Sequence, residues 1–149
     1  MHNRGFTLLE LVIIIAVLGV LIAVIVPSLA RFRQQQALQN SANALVGVLG
    51  DARTKTLAAV NDTSYGVKLE ASQVTLYAGT TYSSGATSNE VYVFESPVTA
   101  SWNLDTAGST ISFARLTGAA SAHGTIVLSI PSGATKTITI TALGTIAKQ

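Results

Sequence analysis

The stretch that decides the fold is residues 4–27, which read RGFTLLELVIIIAVLGVLIAVIVP. Within it, residues 6–26 are strongly apolar with three exceptions, Thr7, Glu10 and Gly19. At the rise of an α-helix this run is about 31 Å long, which matches the roughly 30 Å hydrocarbon core of a bilayer. We therefore predict that residues 6–26 form a transmembrane helix.

Glu10 is the one ionisable residue within this apolar run. A charge near the centre of a membrane helix costs about 2.5–3.5 kcal/mol on insertion scales, so an acidic residue there usually has a function. The competing interpretation is a tolerated polar side chain that reaches outward to the membrane interface.

Residues 1–5 form a short polar leader ahead of the apolar run. A secretory signal peptide has a shorter apolar region, followed by a cleavage site of small residues. Here the run is too long, and Pro27-Ser28 leads directly into more helix-forming sequence. Arg4 precedes the span, which favours a cytoplasmic N-terminus and an extracytoplasmic C-terminus.

The composition excludes several classes of function. The 149 residues fit one small domain plus an anchor, with a net charge of +2 and no cysteine. Disulfides, a thiol nucleophile and cysteine-based metal sites are therefore excluded. Outside the leader His123 is the one histidine and the acidic residues are scattered, so we predict no metal and no cofactor. No catalytic motif is present, and we predict that the protein is not an enzyme.

Residues 27–61 are predicted to form an amphipathic helix. Pro27 disfavours helical backbone at the residue before it, so we expect a helix kink at Pro27. Asn61-Asp62 is a stop signal. Apolar or small side chains recur every three or four residues, as in a helix with one buried face: Leu38, Ala42, Leu45, Leu49, Ala52, Thr56 and Ala59.

Residues 62–149 are predicted to form an extracytoplasmic antiparallel β domain. Alternating polar and apolar residues, separated by Gly-, Ser- and Pro-containing turns, indicate strands. The expected strands are residues 65–69, 74–78, 91–94, 110–116, 124–130 and 136–141. We expect an exposed loop over residues 80–89, Trp102 in the core or packed under a loop, and His123 in a solvated turn. The predicted fold class is α+β, with a small antiparallel sheet packed on the apolar seam of the long helix.

The N-terminal sequence resembles a known signal. Arg4-Gly5-Phe6-Thr7-Leu8-Leu9-Glu10, the unbroken apolar run and Pro27 resemble the class III signal of type IV pilins and type II secretion pseudopilins. A looser resemblance links Leu49-Gly50-Asp51-Ala52-Arg53, Gly124-Thr125-Ile126-Val127-Leu128 and other strand segments to the H-type pseudopilin and FimT group of minor pilins. The resemblance implies the pilin fold.

The resemblance also implies a route of assembly. A prepilin peptidase would cut between Gly5 and Phe6 and would methylate the new amine of Phe6. The subunit would wait in the inner membrane until a cytoplasmic ATPase and a membrane platform protein drive it into a filament, in the periplasm or at the cell surface. Glu10, one helical turn from that amine, would pair with the Phe6 amine of an adjacent subunit.

Several functions stay open at this point. Within the filament interpretation, the chain is either an abundant subunit or a minor subunit that primes a pilus or pseudopilus. A second class is a minor pilin that captures DNA, but the C-terminal tail carries one lysine, Lys148, and one or two phosphate contacts give little affinity. We therefore predict no nucleic-acid partner. The third class is a single-span anchored protein that does not assemble.

Overall fold

The computed structural model describes residues 6–149, apart from the side chains of Val24 and Ile25. The predicted leader, residues 1–5, lies outside the described residues. The chain divides into two compact units, Met1–Arg33 and Gln34–Gln149.

The first unit contains the beginning of one long helix, α1, which spans Leu8–Leu57. Every described side chain from residue 6 to residue 33 is exposed. The large apolar ones include Leu8 at 81% and Ile14 at 42%. Pro27 lies inside the helix, and the helical assignment is continuous on both sides of it. The kink expected at Pro27 stays a prediction.

In the second unit, the part of α1 from Gln34 onward has one buried face. Six of the seven predicted seam positions are buried, which confirms the amphipathic pattern, and Ala37, Ser41 and Val48 extend the buried face. The seventh, Ala59, is exposed, so the prediction that it lies on the buried face was wrong. The reason is that α1 ends at Leu57 and Ala59 takes left-handed backbone with φ 49°.

The eight strands that residues 6–149 form lie in the second unit and make up two antiparallel sheets. The first sheet has the order β3-β2-β1-β5, and the second has the order β4-β6-β7-β8. The strands are β1 Tyr65–Leu69, β2 Gln73–Ala78, β3 Glu90–Val93, β4 Thr99–Leu104, β5 Thr110–Ser112, β6 Gly124–Ser129, β7 Thr135–Ile140 and β8 Ile146–Lys148. The α+β class is confirmed, whereas the expectation of a single small sheet was wrong.

The six predicted strands are present, but β5 is shorter than expected. Strand pairing ends at Ser112, and the chain reverses so that the Ala114 carbonyl accepts a hydrogen bond from the Gly118 N–H at 2.9 Å. Leu116, inside this reversal, has φ 74°, which no strand residue adopts. Two strands were missed, β4 and β8. Apart from Trp102 and Leu104, β4 carries short or polar side chains, and β8 has three residues, so neither shows a strong alternation.

One hydrophobic core joins the buried face of α1 to both sheets. The first sheet contributes side chains to this core from one face of the paired strands β1 and β2. They are Val67, Leu69, Val74 and Leu76. In the second sheet, Ile126 lies opposite Ile138 across the β6–β7 ladder, and Leu128 and Ile140 on the same side are also buried. The period-two alternation of these strands therefore places one apolar face of each sheet in the core.

The other face of the first sheet is covered by the loop of residues 80–89. This loop is free of strands and largely exposed, as predicted. Tyr82, within it, packs edge-to-face on Tyr77 with 5.6 Å between the ring centroids. The Tyr77 ring in turn lies over Gly66, where an added Cβ would come within 2.5 Å of the ring. Burial raises the pKa of the Tyr77 phenol.

Two glycine turns meet beside α1. A Cβ at Gly144, whose φ is 76°, would lie 2.0 Å from the Gly118 carbonyl oxygen. The Arg53 Nε donates a hydrogen bond to the same oxygen at 3.3 Å. Only glycine allows this close approach, and the contact holds the reversal after β5 against the turn before β8.

The Thr56 hydroxyl connects α1 to β1. This buried side chain donates to the Ala52 carbonyl at 2.8 Å and accepts from the Tyr65 N–H at 2.8 Å. The first backbone N–H of β1 therefore has its partner on the helix and not on a neighbouring strand.

We predict that Thr56→Val lowers the free energy of unfolding by about 1–3 kcal/mol, because valine keeps the shape but leaves the buried Tyr65 N–H without its acceptor. Urea unfolding of the full chain in detergent micelles, followed by the fluorescence of Trp102, measures the change. Thr54→Val, at an exposed position of the same helix, is the control and should stay within about 0.5 kcal/mol. Equal losses in the two variants would contradict the prediction.

An ion pair joins α1 to the edge strand β3. Lys55 Nζ lies 2.9 Å from Glu90 Oε1, and the side chains are 31% and 50% exposed, respectively. The hydrogen bond from Lys55, together with one from the Tyr92 hydroxyl, lowers the pKa of Glu90 below its ordinary value. A carboxylate with a depressed pKa in the folded state stabilises the fold above the unfolded pKa, and the contribution disappears as the pH falls through the folded pKa.

We predict that Glu90→Gln reduces the free energy of unfolding at neutral pH by at most about 1 kcal/mol, since both partners are solvated. The difference from the parent chain should shrink on acidification and vanish once the pH has fallen through the lowered pKa that Glu90 has in the folded state. Urea unfolding at a series of pH values measures it, with Glu95→Gln as a control for the loss of one negative charge. A difference that stays constant on acidification would refute the ion-pair explanation.

Candidate functional site

The candidate site lies at the start of α1. Thr7 precedes the helix, and its Oγ1 accepts a hydrogen bond from the Glu10 N–H at 3.2 Å. Thr7 is therefore the N-cap residue, and Glu10 occupies the third helical position. The pattern Thr-x-x-Glu is a capping-box signature that the sequence analysis missed, although Thr7 and Glu10 alone were sufficient to identify it.

The cap places an acidic residue in the first turn of the helix. The free N–H groups of a helix N-terminus carry partial positive charge, which favours a carboxylate there. The side chain of Glu10 is exposed, and among residues 6–149 no cation lies within ion-pair distance of it. Glu10 thus has backbone stabilisation from its own helix, and its carboxylate has no ion-pair partner in the part of the chain that the structure describes.

Phe6 and Glu10 are separated by one helical turn in the sequence. Phe6 precedes the helix and is 80% exposed. Gly5, the other half of the expected cleavage site, lies outside the described residues. An amine created at Phe6 would therefore belong to the same short N-terminal segment as the Glu10 carboxylate, one turn away along the helix.

Residues 11–23, which follow Glu10 in α1, are apolar apart from Gly19, and all of them are exposed. The helix is long and apolar enough to span a membrane, by length and composition. Leu9 and Leu11, on either side of Glu10, are 69% and 57% exposed. An acidic group in such surroundings is stable when it has an opposite charge nearby.

His123, Trp102 and Lys148, which the sequence analysis also discussed, each form an ion pair or a hydrogen bond within the second unit. His123 Nδ1 lies 3.0 Å from Asp105 Oδ2 in an exposed pair, and the Trp102 indole N–H donates to the Gly108 carbonyl at 3.1 Å. Lys148 donates to Asn43 Oδ1 at 2.6 Å. Within residues 6–149, no group of three histidine and acidic side chains is placed to hold a metal ion.

Comparison with known proteins gives one match. Residues 1–26 match the family model for the prokaryotic N-terminal methylation motif. The chain therefore carries a prepilin-type signal. The match includes the leader, Phe6, Thr7 and Glu10 and ends just before Pro27. Searches of curated proteins and of solved structures returned no match.

The motif indicates how the chain is processed, assembled and anchored. It indicates processing of the type that prepilins undergo, by a prepilin peptidase, and a structural subunit that assembles with other pilin-like subunits. With the apolar helix that begins at Leu8, it also indicates membrane anchoring before assembly.

Proposed function

We propose that the chain is the precursor of a subunit of a type IV pilus or a type II secretion pseudopilus. The observation that carries this proposal is the capped N-terminus of α1. It puts the Glu10 carboxylate one turn from the proposed cleavage site, in the part of α1 before Gln34, where every described side chain is exposed. In a filament, neighbouring helices would cover the apolar surface, and each carboxylate would meet an amine.

Cleavage between Gly5 and Phe6 would produce that amine, and the peptidase would add a methyl group to it. The positive Phe6 amine and the negative Glu10 of an adjacent subunit would neutralise each other away from water. Two such charges attract strongly in a low-dielectric medium, and the pairing also selects one axial register between subunits. An apolar surface alone would allow helices to slide, so the ion pair supplies specificity.

Before assembly, the subunit would lie in the inner membrane with its N-terminus in the cytoplasm and residues 62–149 on the other side. After assembly it would form part of a periplasmic or cell-surface filament. The resemblance of Leu49-Gly50-Asp51-Ala52-Arg53 to H-type pseudopilins and FimT-like pilins supports a minor or priming subunit. The proposed kink at Pro27 would let the helix adapt when it leaves the lipid.

The cleavage site is tested by the intact mass of the protein purified from its native host. We expect a chain that starts at Phe6 and carries one methyl group on its amine. In Gly5→Leu the peptidase would meet a bulky residue at the scissile bond, and the full-length chain should accumulate in the membrane. Gly19→Leu, inside the span, is the control and should be processed normally. A native chain that still carries residues 1–5 would leave a membrane-anchored β domain and would refute the proposal.

The assembly role of Glu10 is tested separately from cleavage. Glu10→Ala and Glu10→Gln should be cleaved and inserted normally but should lose most of the sheared filament fraction, because the Phe6 amine of the neighbour has no counter-charge. Glu10→Asp keeps the charge and should retain part of the yield. Processed Glu10→Gln chains that still form filaments at the parental level would contradict the ion-pair model.

A further inference from the structure

The second unit contains a surface cavity of about 490 Å³ beside β5. Sites for small molecules fall in the range of roughly 300–1,000 Å³. Its lining includes four residues that carry a hydroxyl group and one arginine, namely Ser64, Thr80, Ser112, Ser121 and Arg115. Three alanines and the buried Phe113 supply the apolar part of the wall.

Backbone hydrogen bonds hold the wall of this cavity in place. The free side of β5 is covered by residues 119–121, because the Ser121 N–H donates to the Ser112 carbonyl at 2.8 Å. The Ser112 N–H donates to Ser121 Oγ at 2.9 Å, and Phe113 forms a bridge with Ala120. These hydrogen bonds fix the wall of the cavity, which reduces the ordering cost of binding.

The hydroxyl groups of the lining residues are available to form hydrogen bonds with a ligand. Within residues 6–149, the hydroxyls of Ser64, Thr80 and Ser112 make no hydrogen bond to the protein, and Ser121 Oγ accepts one but keeps its own hydrogen to donate. A hydroxyl group both donates and accepts, so a set of them matches a ligand whose groups do the same. Sugars are such ligands.

The charges of the cavity favour a sugar over a simple anion. Arg115 already pairs with Asp62, with Nη2 2.5 Å from Oδ1 and Nη1 donating to the Asp62 carbonyl at 3.2 Å. A free anion would therefore approach a guanidinium that is neutralised and flanked by a carboxylate. A nucleobase would find no exposed aromatic ring in the lining, because the one aromatic residue there, Phe113, is 2% exposed. An apolar ligand would leave the hydroxyls without partners.

We propose that this cavity is a saccharide-binding site, in which the hydroxyls of Ser64, Thr80, Ser112 and Ser121 exchange hydrogen bonds with a sugar ring. The alanine side chains leave room for the ring to approach the wall, and the remaining N–H groups of Arg115 donate to ring substituents. The site goes beyond the proposed filament function and does not rest on it.

Saturation-transfer NMR on the full chain in lauryldimethylamine oxide tests the proposal, since this detergent contains no sugar. The probes are methyl glucoside, methyl galactoside, methyl glucuronide and N-acetylglucosamine. We expect at least one probe to give a saturable response with a Kd in about the millimolar range. Amide shift changes in the labelled chain should be confined to the residues around Ser64, Thr80 and the segment 112–121.

The double variant Ser64→Ala/Ser112→Ala should weaken binding about tenfold or more, because it removes two hydroxyls that make no hydrogen bond within the described protein. Its thermal unfolding should match that of the parent. The control, Thr87→Ala/Ser88→Ala in the exposed loop, removes two hydroxyls elsewhere and should bind normally. The proposal fails if no probe gives a saturable response, if the shifts map elsewhere, or if both double variants bind like the parent chain.

Discussion

The exposed apolar surface of residues 6–26 is the constraint on which the rest of this molecule depends. Every described side chain in the first unit faces outward, and water is a poor solvent for that surface. A helix satisfies all of its internal backbone hydrogen bonds and can therefore enter lipid or a bundle of other helices. The first unit is thus built to be covered from outside the chain, either by the membrane or by neighbouring subunits.

The two parts of α1 differ in how their apolar side chains are buried. Its first part is apolar on all sides and has no cover among the described residues. Its second part carries a seam of leucines and alanines that the two sheets bury within the same unit. A threonine hydroxyl forms a hydrogen bond near each end of α1. The Thr7 hydroxyl caps the first turn, and the Thr56 hydroxyl bonds the helix to the first strand.

The two proposals assign different tasks to the two units. Assembly is placed at the N-terminus, where a carboxylate in apolar surroundings needs an opposite charge and the segment is shared with the methylation motif. Recognition is placed in the β domain, where hydroxyls from separate segments line one cavity. A subunit organised in this way can vary its binding surface without changing the helix that would position it in a filament.

The sequence by itself determined the apolar helix, the place of Glu10 near its start, the buried seam from Leu38 to Thr56, and six of the eight strands that residues 6–149 form, because these features are local periodicities or short motifs. It also contained the Thr7 cap, which was overlooked. Only the tertiary structure decided that the strands divide into two sheets, that β4 and β8 pair at all, and that Ser64, Ser112 and Ser121 converge on one cavity. Strand pairing joins residues far apart in the chain, and its energy comes from contacts and hydrogen bonds that no local pattern records.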